Sequence, residues 1–149
     1  MSETLPPSAP WRAARSIPHP VHDPPRVLLA EDDADMRRLV AEALEADGCV
    51  VEAVADGGRL LVEVSHQLPQ KFEAVDLIVS DVRMPVASGL QIVEALRTAH
   101  CWTPVILMTA FGDDATRAHA ARLGALLFDK PFDLDDLRTA VMSLLQRTA

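Results

Sequence analysis

The chain has 149 residues, of which 49% are hydrophobic and 24% are charged, and its formal net charge is −8. This size and composition are typical of one soluble globular domain with its own core, and the acidic charge argues against nucleic acid or an anionic membrane as a direct partner. No apolar run approaches the roughly 18 residues of a membrane span, and no secretion signal is visible, so we expect a cytoplasmic protein.

The first 25 residues hold seven of the eleven prolines. Proline lacks a backbone N–H and breaks both helices and strand ladders, so residues 1–25 are predicted to form a flexible Pro-rich tail. Trp11, with Arg12 and Arg15 beside it, is either a short docking motif or an isolated aromatic in a solvated tail.

Strand and helix patterns alternate after the tail. A first strand, Arg26–Ala30, precedes a helix that Asp33 caps and that ends at Gly48. A second strand at 49–53, a helix near 57–66 and a loop at 67–74 follow. The third strand, at 76–80, contains the apolar run "LIV", which is typical of a strand buried on both faces.

The second half of the chain continues the alternation. Ser88 and Gln91 form the sequence pattern of a capping box at the start of a third helix. The fourth strand, "VILM", follows Pro104, and an Ala-rich helix is predicted at 113–123. The fifth strand is "ALLF", and Asp133 caps a last helix with the apolar residues Leu134, Leu137, Val141, Leu144 and Leu145.

Five short apolar strands, each followed by a helix, predict an α/β domain over residues 26–147. Its doubly wound parallel sheet should be covered by helices on both faces. The last helix ends close to Ala149, so no output domain is expected. Cys49 and Cys101 have neither disulfide nor zinc spacing and are predicted to be small core residues. The five histidines are scattered and are expected at the surface.

Polar residues gather where the strands end. Glu31 and Asp32 follow the first strand, Asp81 the third, Thr109 the fourth and Lys130 the fifth. With the strand order 2-1-3-4-5, these four strands are neighbours. Because sites in open α/β sheets form beyond the carboxyl ends of the strands, the five residues should converge on one rim.

The predicted cluster has a definite chemistry. Three carboxylates in a poorly screened pocket repel one another, and a hard divalent cation such as Mg²⁺ relieves that repulsion. A cation, a lysine and a threonine hydroxyl together suit an incoming phosphoryl group, whose charge must be neutralised during transfer. A carboxylate can itself be the nucleophile, and Asp81, at the centre of the rim, is the best candidate.

Four segments carry a family resemblance: "LLAEDD", "DVRMPVASGL", "MTA" and "DKPF", in this order and each at its expected strand end. Residues 26–147 resemble the receiver domain of two-component response regulators, which implies a flavodoxin-like fold. The resemblance implies that Asp81 accepts phosphate from a histidine kinase or a histidine phosphotransfer protein. It also implies that Mg²⁺ is held by Glu31, Asp32, Asp81 and the Arg83 backbone carbonyl, and that Thr109 and Lys130 bind the phosphoryl oxygens.

The sequence departs from the family pattern at one position. Receivers commonly carry an aromatic switch residue three positions before the lysine, where this chain has Leu127, and Phe128 follows it. Because neighbouring strand residues face opposite sides of a sheet, either Phe128 takes the role through a local change or no aromatic fills it. Arg83 and Phe111 lie two residues after Asp81 and Thr109, where they should flank the path of hydrolytic water.

The favoured function is a single-domain response regulator that signals by protein contact and is a phosphoacceptor rather than an enzyme. Its downstream partner is expected on the helix at 113–123, the fifth strand and the last helix. A phosphatase of the haloacid dehalogenase type would need an acid two residues after the nucleophile, where Arg83 stands. A receiver-like domain that only binds partners is the third alternative, and the complete set of polar residues argues against it.

Overall fold

The computed structural model of the protein describes residues 21–67 and 75–148. Its five strands follow the chain in the expected places: β1 Arg26–Ala30, β2 Val50–Val54, β3 Leu77–Asp81, β4 Val105–Thr109 and β5 Leu126–Asp129. The five helices are α1 Ala34–Ala46, α2 Gly57–Gln67, α3 Gly89–Thr98, α4 Asp114–Arg122 and α5 Leu134–Thr148. The alternation of strands and helices is therefore confirmed.

The strands form one parallel sheet in the order β2-β1-β3-β4-β5. Every residue of β3 and β4 is buried, because these central strands carry helices on both faces. The register places Val27 opposite Leu77 and Asp81 opposite Met108. The predicted fold class and strand order are confirmed.

The sheet separates two apolar clusters. One cluster packs the sheet against α2, α3 and α4, and its helical members include Leu60, Ile92, Leu96 and Ala120. The other packs the opposite face against α1 and α5, and its helical members include Val40, Leu44, Leu137 and Val141. Cys49 and Cys101 are buried and free, as predicted.

The helix starts follow from the capping residues. The Asp33 side chain accepts from the N–H groups of Asp35 and Met36, and Ser88 forms a complete capping box with Gln91. Asp133 accepts from the Asp135 N–H at 2.8 Å. Each cap satisfies a backbone donor that has no partner inside the helix.

The boundary of the predicted tail needs correction. Residues 1–20, with the Trp11 segment, lie outside the described residues, but 21–25 belong to the packed domain. Val21 packs against the cluster under α1 and α5. The backbone N–H and the ring Nδ1 of His22 both lie within 3.1 Å of the buried Asp76 carboxylate. His22 is therefore a partly buried residue in hydrogen-bond contact with Asp76 rather than a surface histidine, because Asp76 needs partners away from water.

Two smaller expectations also change. The third strand begins at Leu77 rather than Asp76, whose side chain turns to the N–H groups of His22 and Arg26. The predicted loop at 67–74 overlaps the last residue of α2, and 68–74 lie outside the described residues. Within the described ranges, no helix is long and apolar enough to cross a membrane.

Candidate functional site

The polar residues predicted from the sequence meet at the carboxyl end of the sheet. Glu31 directly follows β1, Asp81 and Thr109 are the last residues of β3 and β4, and Lys130 directly follows β5. The strand order makes these four strands consecutive neighbours. The sheet alone therefore brings together residues that lie up to 99 positions apart in the chain.

Three carboxylates form the centre of the site. Glu31, Asp32 and Asp81 each offer one oxygen, and these oxygens lie within 4.8 Å of one another. Glu31 and Asp81 are buried, with 0% and 5% of their surface exposed, whereas Asp32 faces solvent. Converging carboxylate oxygens with one side open to water suit Mg²⁺, which keeps several waters when proteins bind it.

Lys130 lies against this cluster. Its Nζ is 2.8 Å from Glu31 Oε1 and 2.8 Å from Asp81 Oδ1. One ammonium group thus pairs with two of the three carboxyl groups, and the site has a surplus of negative charge. A hard cation would neutralise that surplus of negative charge. Lys130, beside Asp81, is then placed to bind the oxygens of an incoming anion.

The environment separates the acidities of the two buried carboxyls. Burial and the neighbouring Glu31 together raise the pKa of Asp81 to about 8, although Lys130 opposes the shift. Burial works in the same direction on Glu31, but hydrogen bonds with Asp81, Lys130 and the Asp33 N–H outweigh it and lower the pKa of Glu31. Of the two buried carboxyls, Asp81 is therefore the weaker acid.

The ends of β4 and β5 are joined at Thr109. The Lys130 N–H donates to the Thr109 carbonyl at 2.7 Å, and the Thr109 hydroxyl oxygen accepts from the Phe111 N–H at 3.1 Å. Thr109 is buried. The Thr109 side chain is therefore hydrogen-bonded directly to the loop that leads into α4.

Arg83 and Phe111 meet at the mouth of the site. The guanidinium carbon of Arg83 lies 5.3 Å from the centre of the Phe111 ring, a distance typical of a cation–π contact. Phe111 remains 65% exposed. The two side chains thus contact one another at the surface, and their role beside the path of hydrolytic water stays a prediction.

Gly89, the glycine of the "DVRMPVASGL" segment, lies where the structure has no room for a side chain. A Cβ at this position would collide with the Asp81 carbonyl oxygen, and the Gly89 N–H donates to the Val82 carbonyl at 2.9 Å. The start of α3 therefore packs directly against the end of β3 that carries Asp81. The role of the Arg83 carbonyl as a metal ligand stays a prediction.

Leu127 and Phe128 lie on opposite faces of the sheet. Leu127 packs with the cluster under α2, α3 and α4, whereas Phe128 packs with the α1 and α5 cluster and makes an edge contact with Phe132 at 5.8 Å between ring centres. Phe128 therefore does not face α4. In this structure, the position of the usual aromatic switch holds an aliphatic side chain.

Sequence reasoning missed Arg37, whose Nη1 donates to the Glu31 carbonyl at 2.8 Å. It also missed Arg117, which binds both carboxylate oxygens of Asp129 at 2.9 Å, beside Lys130. The i to i+6 spacing of Glu31 and Arg37 is a weak signal because it depends on the path of the loop. The Arg117 contact has no local signal at all.

Comparison with known proteins shows the family to which the chain belongs. Residues 27–142 match the family described as the response regulator receiver domain. The chain is 34% identical over 124 residues to the regulatory protein AtoC of Escherichia coli, and 38% identical over 124 residues to the response regulator protein PmrA of Pseudomonas aeruginosa. These matches cover 81% and 83% of this chain but only 25% and 53% of the two relatives.

Solved structures show the same fold. The receiver domain of the Francisella response regulator 1452 has a TM-score of 0.75 at 28% identity, over 84% of this chain and 99% of that one. The chemotaxis protein CheY4 of Vibrio cholerae has a TM-score of 0.68 at 27% identity, over 80% and 98%. The chain belongs to the response regulator receiver domain family, a class of phosphoacceptor signalling domains.

Proposed function

We propose that Asp81 accepts a phosphoryl group from a histidine kinase or a histidine phosphotransfer protein in a Mg²⁺-dependent reaction, and that the phosphorylated chain signals by contact with a downstream protein. The observation that carries the proposal is the convergence of Glu31, Asp32 and Asp81 with Lys130, whose Nζ is 2.8 Å from the Asp81 carboxylate. A phosphoacceptor role requires no further catalytic group. We also propose that the protein is cytoplasmic.

The chemistry of the step follows from the residues present. A carboxylate oxygen of Asp81 forms the new bond to phosphorus while the nitrogen–phosphorus bond of the donor histidine breaks, and the electron pair leaves with the imidazole. Bound Mg²⁺ supplies neutralising charge to the phosphoryl oxygens. Asp81 reacts as the carboxylate, because a protonated carboxyl is a poor nucleophile and attracts a cation only weakly.

Lys130 and Thr109 act on the product. Phosphorylation adds about −1.5 to −2 charges and new acceptor oxygens. Lys130 neutralises part of this charge and must then loosen its contact with Glu31. The Thr109 hydroxyl can donate to a phosphoryl oxygen, and its movement is passed to Phe111 and the loop before α4 through the 3.1 Å hydrogen bond.

We infer that α4, β5 and α5 form the surface that reads this change. Ala120 is the buried residue of α4, so little apolar area holds the helix in place. Polar contacts hold it instead: Arg117 binds Asp129 at 2.9 Å, and the buried Arg97 of α3 donates to the Leu123 carbonyl at 2.8 Å. Such a helix can occupy two positions of similar free energy.

The proposal also accounts for the aliphatic Leu127 at the position where receivers commonly carry an aromatic switch residue. Leu127 lies on the α4 side of the sheet, and Leu126 is 36% exposed on the edge strand. We propose that the switch operates through Thr109, Leu127 and the Arg117–Asp129 contact. Phe128 serves as a core residue of the α1 and α5 face.

The phosphoacceptor role is tested by transfer from a phosphorylated histidine domain. Labelled phosphate should pass to the wild-type chain in Mg²⁺, and it should not pass in EDTA or to Asp81→Asn. Asp76→Asn is unsuitable as a control because Asp76 is buried and paired, whereas Asp56→Asn leaves the strand ends untouched. Equal labelling of the wild type and Asp81→Asn would refute the proposal.

The output surface is tested by amide chemical shifts with beryllofluoride, which mimics a bound phosphoryl group. The largest changes beyond the pocket should fall at residues 109–130. Large distant changes on α1 instead would place the output surface elsewhere.

A further inference from the structure

Arg37 makes a contact that neither the carboxylate cluster nor the phosphoacceptor role requires. It lies in the second turn of α1, and its Nη1 donates to the backbone carbonyl of Glu31 at 2.8 Å. The contact is partly buried. An arginine in the first turns of a surface helix would ordinarily extend into water, because the positive N-terminal end of the helix dipole gives it no favourable partner.

The geometry of α1 makes the contact possible. The Arg37 N–H donates to the Asp33 carbonyl at 2.8 Å, which is the first bond of the helical ladder. Side chains of a helix point back towards its N-terminus, so the Arg37 side chain extends towards the loop between β1 and α1. Arg38, one residue on, projects in a different direction, and its side chain is 66% exposed.

The hydrogen bond from Arg37 is one of several that hold Glu31 in place. The Glu31 N–H donates to the Val54 carbonyl at 3.1 Å, Oε2 accepts from the Asp33 N–H at 3.0 Å, and Oε1 binds Lys130. The carbonyl held by Arg37 belongs to the peptide group that joins Glu31 to Asp32. Fixing that peptide plane restricts the direction in which the exposed Asp32 carboxylate leaves the backbone.

We propose that Arg37 is a positioning residue for the divalent cation: it holds the Glu31–Asp32 peptide so that the Asp32 and Asp81 carboxylates face one another before the cation arrives. This inference rests on the proposed function, since it concerns the same metal site. Preorganised ligands bind a cation more tightly because the cost of ordering them has already been met.

The atom that Arg37 contacts supports this role. Its Nη1 bond goes to a carbonyl oxygen, which leaves the carboxylate oxygens of the cluster available to the cation. The guanidinium therefore fixes the loop without the competition that a direct ion pair with Asp32 would introduce. Its planar, multiply donating head suits a fixed carbonyl better than a flexible ammonium does.

The test compares Arg37→Met with Arg38→Met. Both substitutions remove one positive charge from the same part of α1, but the exposed Arg38 makes a 3.8 Å contact with the exposed Asp35 rather than with Glu31. A titration of amide chemical shifts with Mg²⁺ alone measures the dissociation constant, and the same spectra report whether each variant is folded.

We expect the Mg²⁺ dissociation constant of Arg37→Met to rise about tenfold, as is usual when a residue behind a metal ligand is removed. Arg38→Met should stay within about twofold of the wild type, the range of an exposed charge. At saturating Mg²⁺, Arg37→Met and the wild type should react with acetyl phosphate at the same rate. Equal dissociation constants for the two variants, or a rate that stays low at saturation, would overturn the inference.

Arg37→Lys replaces Arg37→Met if the latter does not fold. It keeps the charge but loses the planar head, and we expect a Mg²⁺ affinity clearly below that of the wild type. Unchanged affinity would overturn the inference. A wild-type chain that binds Mg²⁺ but is never phosphorylated would refute the proposed function and leave the role of Arg37 intact.

Discussion

Val86 shows how tightly the loop after Asp81 is constrained. Its backbone has a φ of 78°, a conformation that costs a β-branched residue about 1–2 kcal/mol. The side chain is 85% exposed, so packing does not offset this cost. The loop is fixed by its neighbours: the Gly57 N–H donates to the Pro85 carbonyl at 3.1 Å, and a Cβ on Gly57 would collide with Ala87.

Replacing Val86 by glycine should stabilise the domain. Glycine adopts positive φ without strain but loses more backbone entropy on folding, about 0.5–1 kcal/mol, so a net gain of up to about 1.5 kcal/mol in the free energy of unfolding remains. Urea unfolding of both forms measures it. Val86→Ala is the control, since alanine keeps a Cβ in the strained conformation, and a glycine variant no more stable than the alanine variant would contradict the strain.

The contact between Arg83 and Phe111 should control the lifetime of the phosphorylated state. The guanidinium lies over the exposed ring at 5.3 Å, and we expect the pair to cover the side from which water approaches Asp81. Losing an exposed cation–π contact of about 0.5–1 kcal/mol corresponds to about a two- to fivefold larger open population. We therefore expect Phe111→Asn to speed spontaneous loss of phosphate about two- to fivefold.

The loss of phosphate can be followed by phosphate release after the donor is removed. Phe111→Leu is the matched variant, because it keeps an apolar cover without the ring and should fall between the wild type and Phe111→Asn. A slower or unchanged rate in Phe111→Asn would show that Phe111 does not restrict water.

At the scale of elements, α1 and α5 are linked by a charged contact at the far end of α1. Arg138 of α5 donates through Nε and Nη2 to both carboxylate oxygens of Asp47, at 2.9 and 2.7 Å. Asp47 caps the C-terminus of α1. The hydrogen bonds from Arg138 lower the pKa of Asp47, burial opposes this shift, and the charge of Arg138 adds to the lowering.

The direction of this shift predicts how the contact responds to pH. Because the pKa of Asp47 is lower in the folded state, its contribution to stability is present above about pH 3.9, the usual aspartate value, and is lost as pH falls through the folded pKa. Asp47→Asn should therefore be less stable than the wild type at pH 6, and the difference should shrink steadily below pH 4.

Denaturant unfolding at a series of pH values measures that difference. Asp135→Asn is the control, since Asp135 binds Arg138 through one oxygen at 3.0 Å and is 79% exposed, and its effect should be smaller. A difference between Asp47→Asn and the wild type that stays constant down to pH 2 would contradict the assignment.

The two ends of the sheet differ in how they hold the chain together. At the carboxyl end, charged groups converge on Asp81 and leave a surplus of negative charge. At the opposite end, Asp76 is fully buried but receives bonds from His22 and from the Arg26 N–H at 2.8 Å. The paired carboxylate stabilises the junction of the N-terminal segment with β1, whereas the crowded carboxylates favour a cation.

For the whole molecule, the sequence predicted the features that depend on local patterns. Apolar runs fix β3 and β4, caps such as Asp33 and Ser88 fix the helix starts, and a parallel sheet places all strand ends on one rim. These rules suffice to bring Glu31, Asp81 and Lys130 together. Strand ends shift by a residue because backbone pairing and side-chain bonds compete there, as at Asp76.

Other features depend on contacts between distant residues and have no local pattern. His22 lies 54 residues from Asp76, and Arg138 lies 91 residues from Asp47. The faces taken by Leu127 and Phe128 depend on the register of β5 against β4, which pairs Phe128 with Met108. Neither partner of such a contact can be inferred until the sheet and helices are assembled.

The central claim is that Asp81 is a phosphoacceptor that works only with a divalent cation. Intact-protein mass after incubation with acetyl phosphate tests it most directly. The wild type in Mg²⁺ should gain the mass of one phosphoryl group, located at Asp81 by peptide mapping, and should gain nothing in EDTA. The same gain in EDTA, in Asp81→Asn, or at a residue other than Asp81 would contradict the account.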